Sequence, residues 1–108
     1  MAIPHAGAGE PVSVRPLGPA LATAKTTTLI KTQALEVIRL VLPAGKALPT
    51  HQVAGEITVQ CLEGRVAFTG GATTHELKAG DLLYLTGGAP HTLRGVEDAS
   101  VLVTILLR

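Results

Sequence analysis

The sequence predicts an all-β fold, a barrel or sandwich of antiparallel strands. Two observations predict it: a train of short runs rich in Val, Ile, Leu and Thr, and the glycine, proline or acidic turn signals that separate those runs. No window of the chain has a sustained helical period, so we expect helix to be confined to a turn or two. A chain of 108 residues has room for one such core.

The first 24 residues differ in composition from the rest. They are rich in residues that resist both helix and sheet ladders: Pro4, Gly7, Gly9, Pro11, Pro16, Gly18 and Pro19. We therefore expect residues 1–24 to form an irregular arm and residues 25–108 to form a β-barrel domain.

Eight strands are predicted within that domain. Each is a run of β-formers that ends at a turn signal, since glycine supplies positive φ angles and proline ends pairing. The runs are residues 25–32, 34–42, 55–63, 65–69, 74–78, 81–85, 91–95 and 100–108.

Two of these runs are apolar on both faces. They are "VIRLVL", apart from Arg39, and "VLVTILL", apart from Thr104. A half-exposed antiparallel strand alternates, so both faces of these strands need a cover. For the segment Val101 to Leu107 the cover is either a partner subunit or the N-terminal arm, and we expect a homodimer, in which the arm could also lie across the seam.

Composition excludes several classes of partner. With 46% hydrophobic residues, 16% charged residues and a formal net charge of +1, the chain gives no sign of a nucleic-acid or membrane-surface partner. The longest apolar runs fall well short of the ~20 residues that cross a bilayer, and the N-terminus lacks the features of a signal peptide. The default expectation is a soluble cytoplasmic protein, in which the single cysteine, Cys61, is a small buried hydrophobe.

Two histidines each lie at a characteristic spacing from neighbouring glycines. Gly45 precedes His51 by five intervening residues and Gly64 follows later, while Gly80, five residues, Thr86, Gly88, two residues and His91 form a second frame. Over about residues 30 to 107, the chain resembles a small single-domain member of the cupin superfamily. The resemblance implies a jelly-roll barrel of the RmlC-like, double-stranded β-helix type. It implies no particular reaction, because one fold carries many functions.

The resemblance also implies a metal site, from which this sequence departs. The family's usual ligands are a histidine, a second histidine two residues on, a glutamate four or five beyond that, and a last histidine from the second motif. His51 and His91 occupy the first and last places, but Val53 and Ile57 stand in the middle ones. Two histidines alone make a weak site, since zinc or iron normally takes at least three protein ligands.

The nearest carboxylate, Glu56, is one residue early for the glutamate place. Side chains alternate along a strand, so Glu56 points outward if Ile57 points inward. A β-bulge near Gly55 would turn Glu56 back toward the cavity.

The first functional hypothesis is a cupin without a complete metal site that binds a small, mostly apolar molecule in its barrel. His51 and His91 would be neutral polar anchors that lie within a few ångströms of each other. Val53, Ile57 and Val59 would line the apolar cavity beside them.

The competing hypothesis is a metal-dependent enzyme of the oxygenase or isomerase type. Its divalent Fe, Mn, Ni or Zn ion would be held by His51, His91 and Glu56, with Gln52 or Gln60 as further ligands. A third interpretation gives both histidines a purely structural role, satisfying backbone groups in the core.

The other polar residues are assigned no site. His75 is predicted to be an exposed hairpin residue, and His5 a solvated residue of the arm. Asp81 is predicted to be a turn former that bonds nearby amides, and Glu97 and Asp98 form a solvated acidic turn.

Overall fold

The structure is a computed structural model that describes residues 5–51 and 53–107, with the backbone alone described at 49–51. Within those ranges the chain forms nine strands and one short 3-10 helix, Gly18–Thr23. No helix in the described part has the length and apolarity needed to cross a bilayer. The strands are β1 Thr27–Lys31, β2 Leu35–Leu42, β3 Ala47–His51, β4 Ile57–Glu63, β5 Arg65–Gly70, β6 Thr73–Lys78, β7 Leu82–Leu85, β8 His91–Gly95 and β9 Ala99–Leu106.

The strands form two antiparallel sheets that pack face to face. The five-stranded sheet has the order β1-β2-β9-β4-β7, and the four-stranded sheet has the order β3-β8-β5-β6. Burial alternates along β4 and β5, as period-2 side-chain geometry requires. The inward residues fill one core, which includes Val59, Cys61, Val66, Phe68 and Val101.

The seven predicted strand runs from residue 34 onward and the first run near residue 27 are all present, but β3 was not predicted. Residues 43–49 have the glycine and prolines of a turn between predicted strands, whereas Ala47–His51 pairs with β8. Pro49 made this segment resemble a turn because proline cannot donate to a ladder. The segment is nevertheless a strand because β3 lies at the edge of its sheet, where a missing donor is tolerated.

Two glycines allow neighbouring backbone segments to pack closely at the ends of the strands. Gly64, between β4 and β5, has a φ of 76°, and a side chain there would collide with the backbone carbonyl of Asp98. At Gly55, before β4, a side chain would collide with the carbonyl of Leu106. Both positions therefore need glycine for the close approach of the neighbouring backbone.

The N-terminal arm is held on the outer face of the five-stranded sheet by a polar cluster that we call the latch: Arg39, Glu63 and Ser100. The Arg39 guanidinium donates to the carbonyl oxygens of Arg15 at 2.8 Å and Ser13 at 3.2 Å. The Glu63 carboxylate accepts hydrogen bonds from the backbone N–H groups of Leu17 at 2.9 Å and Gly18 at 3.1 Å. The latch therefore binds the arm through backbone atoms alone.

Within the latch, Arg39 and Glu63 form a buried pair of opposite charges. The side chains of Arg39 and Glu63 are 7% and 13% exposed, and their nearest nitrogen and oxygen lie 4.0 Å apart. The Ser100 hydroxyl donates to the same carboxylate. Burial alone would raise the pKa of Glu63, but hydrogen bonds from Leu17 N–H, Ser100 and Gly18 N–H, together with Arg39, hold that pKa below its ordinary value.

The arm covers only part of the outer face. Register places Ser100, Leu102, Thr104 and Leu106 of β9 on that face, so it is less apolar than the run "VLVTILL" suggests. Ser100 is fully buried beneath the arm, whereas Leu106 is exposed. The arm therefore covers the Ser100 end of β9 and leaves the Leu106 end exposed.

Candidate functional site

The candidate site is the end of the core at which His91 begins β8. His91 lies directly opposite Gly70 of β5 and shares the inner face of the four-stranded sheet with Phe68 and Leu93. Its side chain is buried, at 6% exposure. The sequence prediction that His91 points into the barrel is therefore confirmed.

Two contacts fix the His91 ring. It stacks on Phe68 with ring centroids 5.7 Å apart and an interplanar angle of 14°. Its Nδ1 lies 3.2 Å from the Ala89 carbonyl oxygen. Because a carbonyl only accepts, this contact places a proton on Nδ1, and in a neutral ring Nε2 then carries the lone pair.

An apolar cavity lies beside this ring. Its lining comes from both sheets and consists of Leu40, Leu48, Ile57, Val59, Phe68, His91, Leu93 and Val103. Among the described residues of this lining, His91 has the polar side chain. The cavity has a volume of about 30 Å³, which is room for one or two small groups.

The cavity contains two of the three apolar lining residues that the sequence predicts. Ile57 and Val59 belong to the lining and are almost fully buried. Val53 packs against the core but is not among the residues of this cavity. Phe68 was missed, although it follows Val66 at the period-2 spacing of an inward-facing strand side.

The backbone brings His51 and His91 together. They are direct partners in the β3–β8 ladder, after a register shift between Leu48 and His51. Directly opposite residues of antiparallel strands have Cβ atoms about 4.5–5.5 Å apart. The side chain of His51 and all of Gln52 lie outside the described part of the chain, so the predicted contact between the two imidazoles stays a prediction.

The structure does not bring Glu56 to the site. Ile57, its neighbour, points into the core opposite Ile105, so alternation directs Glu56 to the outer face of the five-stranded sheet. There its carboxylate accepts a hydrogen bond from the Tyr84 hydroxyl at 2.7 Å. That hydrogen bond is also the main reason why the pKa of Tyr84 is raised.

Gln60 also lies away from His91, because its ladder partners are Leu82 and Leu102 on the outer face. The predicted ligand roles of Glu56 and Gln60 are therefore corrected. In the part of the chain that the structure describes, no three His, Cys, Asp or Glu residues cluster as a metal would need. The described residues do not fit a site with three protein ligands.

The remaining reactive residues take structural roles. Cys61 is fully buried in the core, and burial raises the pKa of its thiol. Asp81 accepts a hydrogen bond from the Lys78 N–H at 2.9 Å, as expected of a turn former. His75 is exposed on β6, within the strand run predicted for residues 74–78.

Comparisons with known proteins agree with this architecture. The cupin domain model matches residues 38–106. The chain is 30% identical to an RmlC-like cupin protein from Desulfovibrio desulfuricans, with a TM-score of 0.69 over 75% of this chain and 79% of that chain. It is 25% identical to a conserved protein of unknown function from Streptococcus pyogenes, with a TM-score of 0.73 over 77% and 73% of the two chains.

A third structure shares the fold over nearly the whole length. It is an RmlC-like cupin family protein with a double-stranded β-helix fold from Methanocaldococcus jannaschii, 17% identical, with a TM-score of 0.73 over 94% of both chains. The comparison with curated proteins gives no match. The family match and the two packed sheets together show that this chain belongs to the cupin family and forms its double-stranded β-helix barrel.

Proposed function

We propose that this protein binds one small, mostly apolar molecule at the His91 end of its barrel. The supporting observation is the buried imidazole of His91 among lining residues that, in the described part of the chain, are otherwise apolar. A polar side chain in such a wall gives a ligand one oriented hydrogen-bonding contact, while the surrounding aliphatic groups provide the hydrophobic contribution. His51, on the adjacent strand, is the second polar anchor of the proposal.

The size of the cavity limits the ligand. Since the cavity admits only one or two small groups, the ligand inserts a polar end beside His91 and leaves its remaining atoms toward the barrel end. Short alcohols have this chemistry, since a hydroxyl can both donate and accept a hydrogen bond. The proposal therefore names a class of ligand, a small polar head on an apolar chain.

Ring resonances of the histidines provide the test. Titration of the wild-type protein with butanol is expected to shift the His91 ring signals in a saturable way. In calorimetric titrations, His91→Asn should not bind butanol, while His75→Asn, which alters an exposed histidine, should bind it as the wild type does. If butanol does not shift the His91 signals, or if His91→Asn binds it as well as wild type, the proposal is wrong.

A metal-dependent enzyme is the second candidate, and one observation favours it. The backbones of His51 and His91 are paired directly, which is an arrangement that allows two imidazoles to share an ion. Such a site would rely on two protein ligands, because the family's middle places hold Val53 and Ile57.

Metal analysis of protein purified without chelator separates the two candidates. A stoichiometric transition metal that is lost in both His51→Ala and His91→Ala would contradict the metal-free binding proposal. Protein that takes up no metal after soaking with iron, nickel, manganese or zinc would eliminate the enzyme candidate.

A further inference from the structure

A groove lies on the outer face of the five-stranded sheet, at the end of β9 that the arm leaves uncovered. Its volume is about 230 Å³, and its lining consists of Glu56, Ile57, Thr58, Tyr84, Thr104 and Leu106. Because Ile57 points into the core, its neighbours Glu56 and Thr58 point outward. The groove and the His91 cavity therefore lie on opposite faces of this sheet.

Strand register places the polar members of this lining side by side. Thr58 lies in the middle, directly opposite Tyr84 of β7 and Thr104 of β9. The Tyr84 hydroxyl donates to Oε1 of Glu56 at 2.7 Å. The groove thus brings together a carboxylate, a phenol and two threonine hydroxyls, each of which has an oxygen that can accept a hydrogen bond.

The Glu56 carboxylate has no cationic neighbour in the part of the chain that the structure describes. The ion pairs found there use four other carboxylates, those of Glu36, Glu63, Glu76 and Glu97. The hydrogen bond from Tyr84 engages one oxygen of Glu56 and brings no charge. A cation that enters the groove would therefore meet a negative charge that no described cation balances.

We propose that this groove binds a small primary alkylammonium ion. The three N–H donors of a primary ammonium match the carboxylate and the hydroxyls of the lining. A guanidinium is a poorer match, because its planar fork pairs best with both oxygens of a carboxylate, and Tyr84 already engages one of them.

The remaining lining limits the alkyl part of the ligand. Tyr84 and Leu106 are 58% and 41% exposed, so they offer apolar surface to a short chain. The groove is smaller than the ~300 Å³ at which pockets for drug-sized ligands begin, so the amine has only a few carbon atoms. This site is independent of the ligand proposed for the His91 cavity.

Tyrosine fluorescence of the full chain tests the proposal. Tyr84 is the single tyrosine of a chain without tryptophan, so its emission reports on this groove. Butylammonium at neutral pH is expected to change that emission in a saturable way, and more weakly at high salt. Butan-1-ol, which lacks the charge, and tetramethylammonium, which lacks N–H donors, should leave it unchanged. No saturable response to butylammonium, or an equal response to either control, would overturn the proposal.

Glu56→Gln keeps the size of the side chain and removes its charge. We expect it to raise the Kd for butylammonium about tenfold, since a charge-assisted hydrogen bond is lost. Glu76→Gln is the matched control, because it neutralises an exposed carboxylate on β6 and should bind as the wild type does. Unchanged binding by Glu56→Gln, or an equal loss in Glu76→Gln, would contradict the assignment.

Backbone amide chemical shifts of the wild-type protein locate the bound amine without any variant. The Thr58 and Thr104 amides are expected to shift with the same Kd that fluorescence gives. Shifts confined to other strands would place the amine elsewhere. A second copy of the chain seated over this face would exclude the amine and leave both amides unshifted. Either result would overturn the proposal.

Discussion

The latch and the His91 site both bury polar groups, but they do so in opposite ways. In the latch, the Arg39 cation and the Glu63 carboxylate lie side by side. Together they form hydrogen bonds with four backbone groups of the arm. At the His91 site, one imidazole lies in an apolar lining, stacked on Phe68. Burial of a polar side chain therefore does not by itself mark a candidate site; the groups that surround the side chain distinguish a structural cluster from a candidate binding site.

The largest expected effect on the free energy of unfolding comes from removing the Phe68 ring that stacks on His91. Phe68→Ala is expected to destabilise the fold by about 3–5 kcal/mol, because it leaves a cavity in the core. Urea unfolding measures the loss. Benzene should then restore part of the stability by filling the new apolar space beside His91.

Leu77→Ala is the matched control for that rescue. Leu77 is also in the core but is not part of the His91 cavity lining. Equal rescue of both variants by benzene would show that the new space at Phe68 has no special relation to the cavity.

The next effect comes from the latch. Arg39→Met removes the cation beside the buried Glu63 carboxylate and leaves two arm carbonyls without their donor, so we expect a loss of about 3 kcal/mol in the free energy of unfolding. Arg65→Met is the control, since Arg65 forms exposed ion pairs with Glu76 and Glu97 that contribute under about 1 kcal/mol. Similar losses for both variants would contradict a structural role for the latch.

The latch should also make stability depend on pH. The pKa of Glu63 is lower in the folded protein than in the unfolded chain. Its contribution is therefore complete above the unfolded-state pKa and is lost as the pH falls toward and through the folded-state pKa. Urea midpoints between neutral and acidic pH should fall less steeply in Glu63→Gln than in wild type, while the exposed control Glu76→Gln should follow wild type.

The smallest effect concerns the outer face at Glu56. Tyr84 is the single tyrosine of the chain, so ultraviolet titration reports its pKa alone. Glu56→Gln is expected to move that pKa down toward its ordinary value, because the hydrogen bond from the phenol to the carboxylate raises it. An unchanged tyrosine titration would mean that Glu56 does not face Tyr84 and would revive its predicted role as a metal ligand.

Much of the fold could be predicted because period-2 patterning and turn residues are local signals. The inward direction of Ile57 and Val59, and hence the outward direction of Glu56 without a bulge, followed from strand alternation alone. Strand β3 could not be predicted in this way, because Pro49 is compatible with a strand only at a sheet edge, and edge position is a property of the whole fold.

The site was harder to predict than the fold, and the latch was not predicted at all. Arg39 is recognisable in the sequence as an exception in an apolar strand, but its partners lie 24 and 61 residues away. The stacking of Phe68 on His91 likewise depends on the pairing of β5 with β8. Such long-range contacts leave no local pattern, so only the arrangement of strands reveals them.

The latch has a consequence for how the arm can evolve. Its four contacts with the arm involve the carbonyls of residues 13 and 15 and the N–H groups of residues 17 and 18, none of which depends on side-chain identity. Substitutions in the arm that preserve its backbone path should therefore be nearly neutral, with Gly18, at a φ of 57°, as the exception. Arms of related chains can diverge beyond recognition in sequence while docking at the same place.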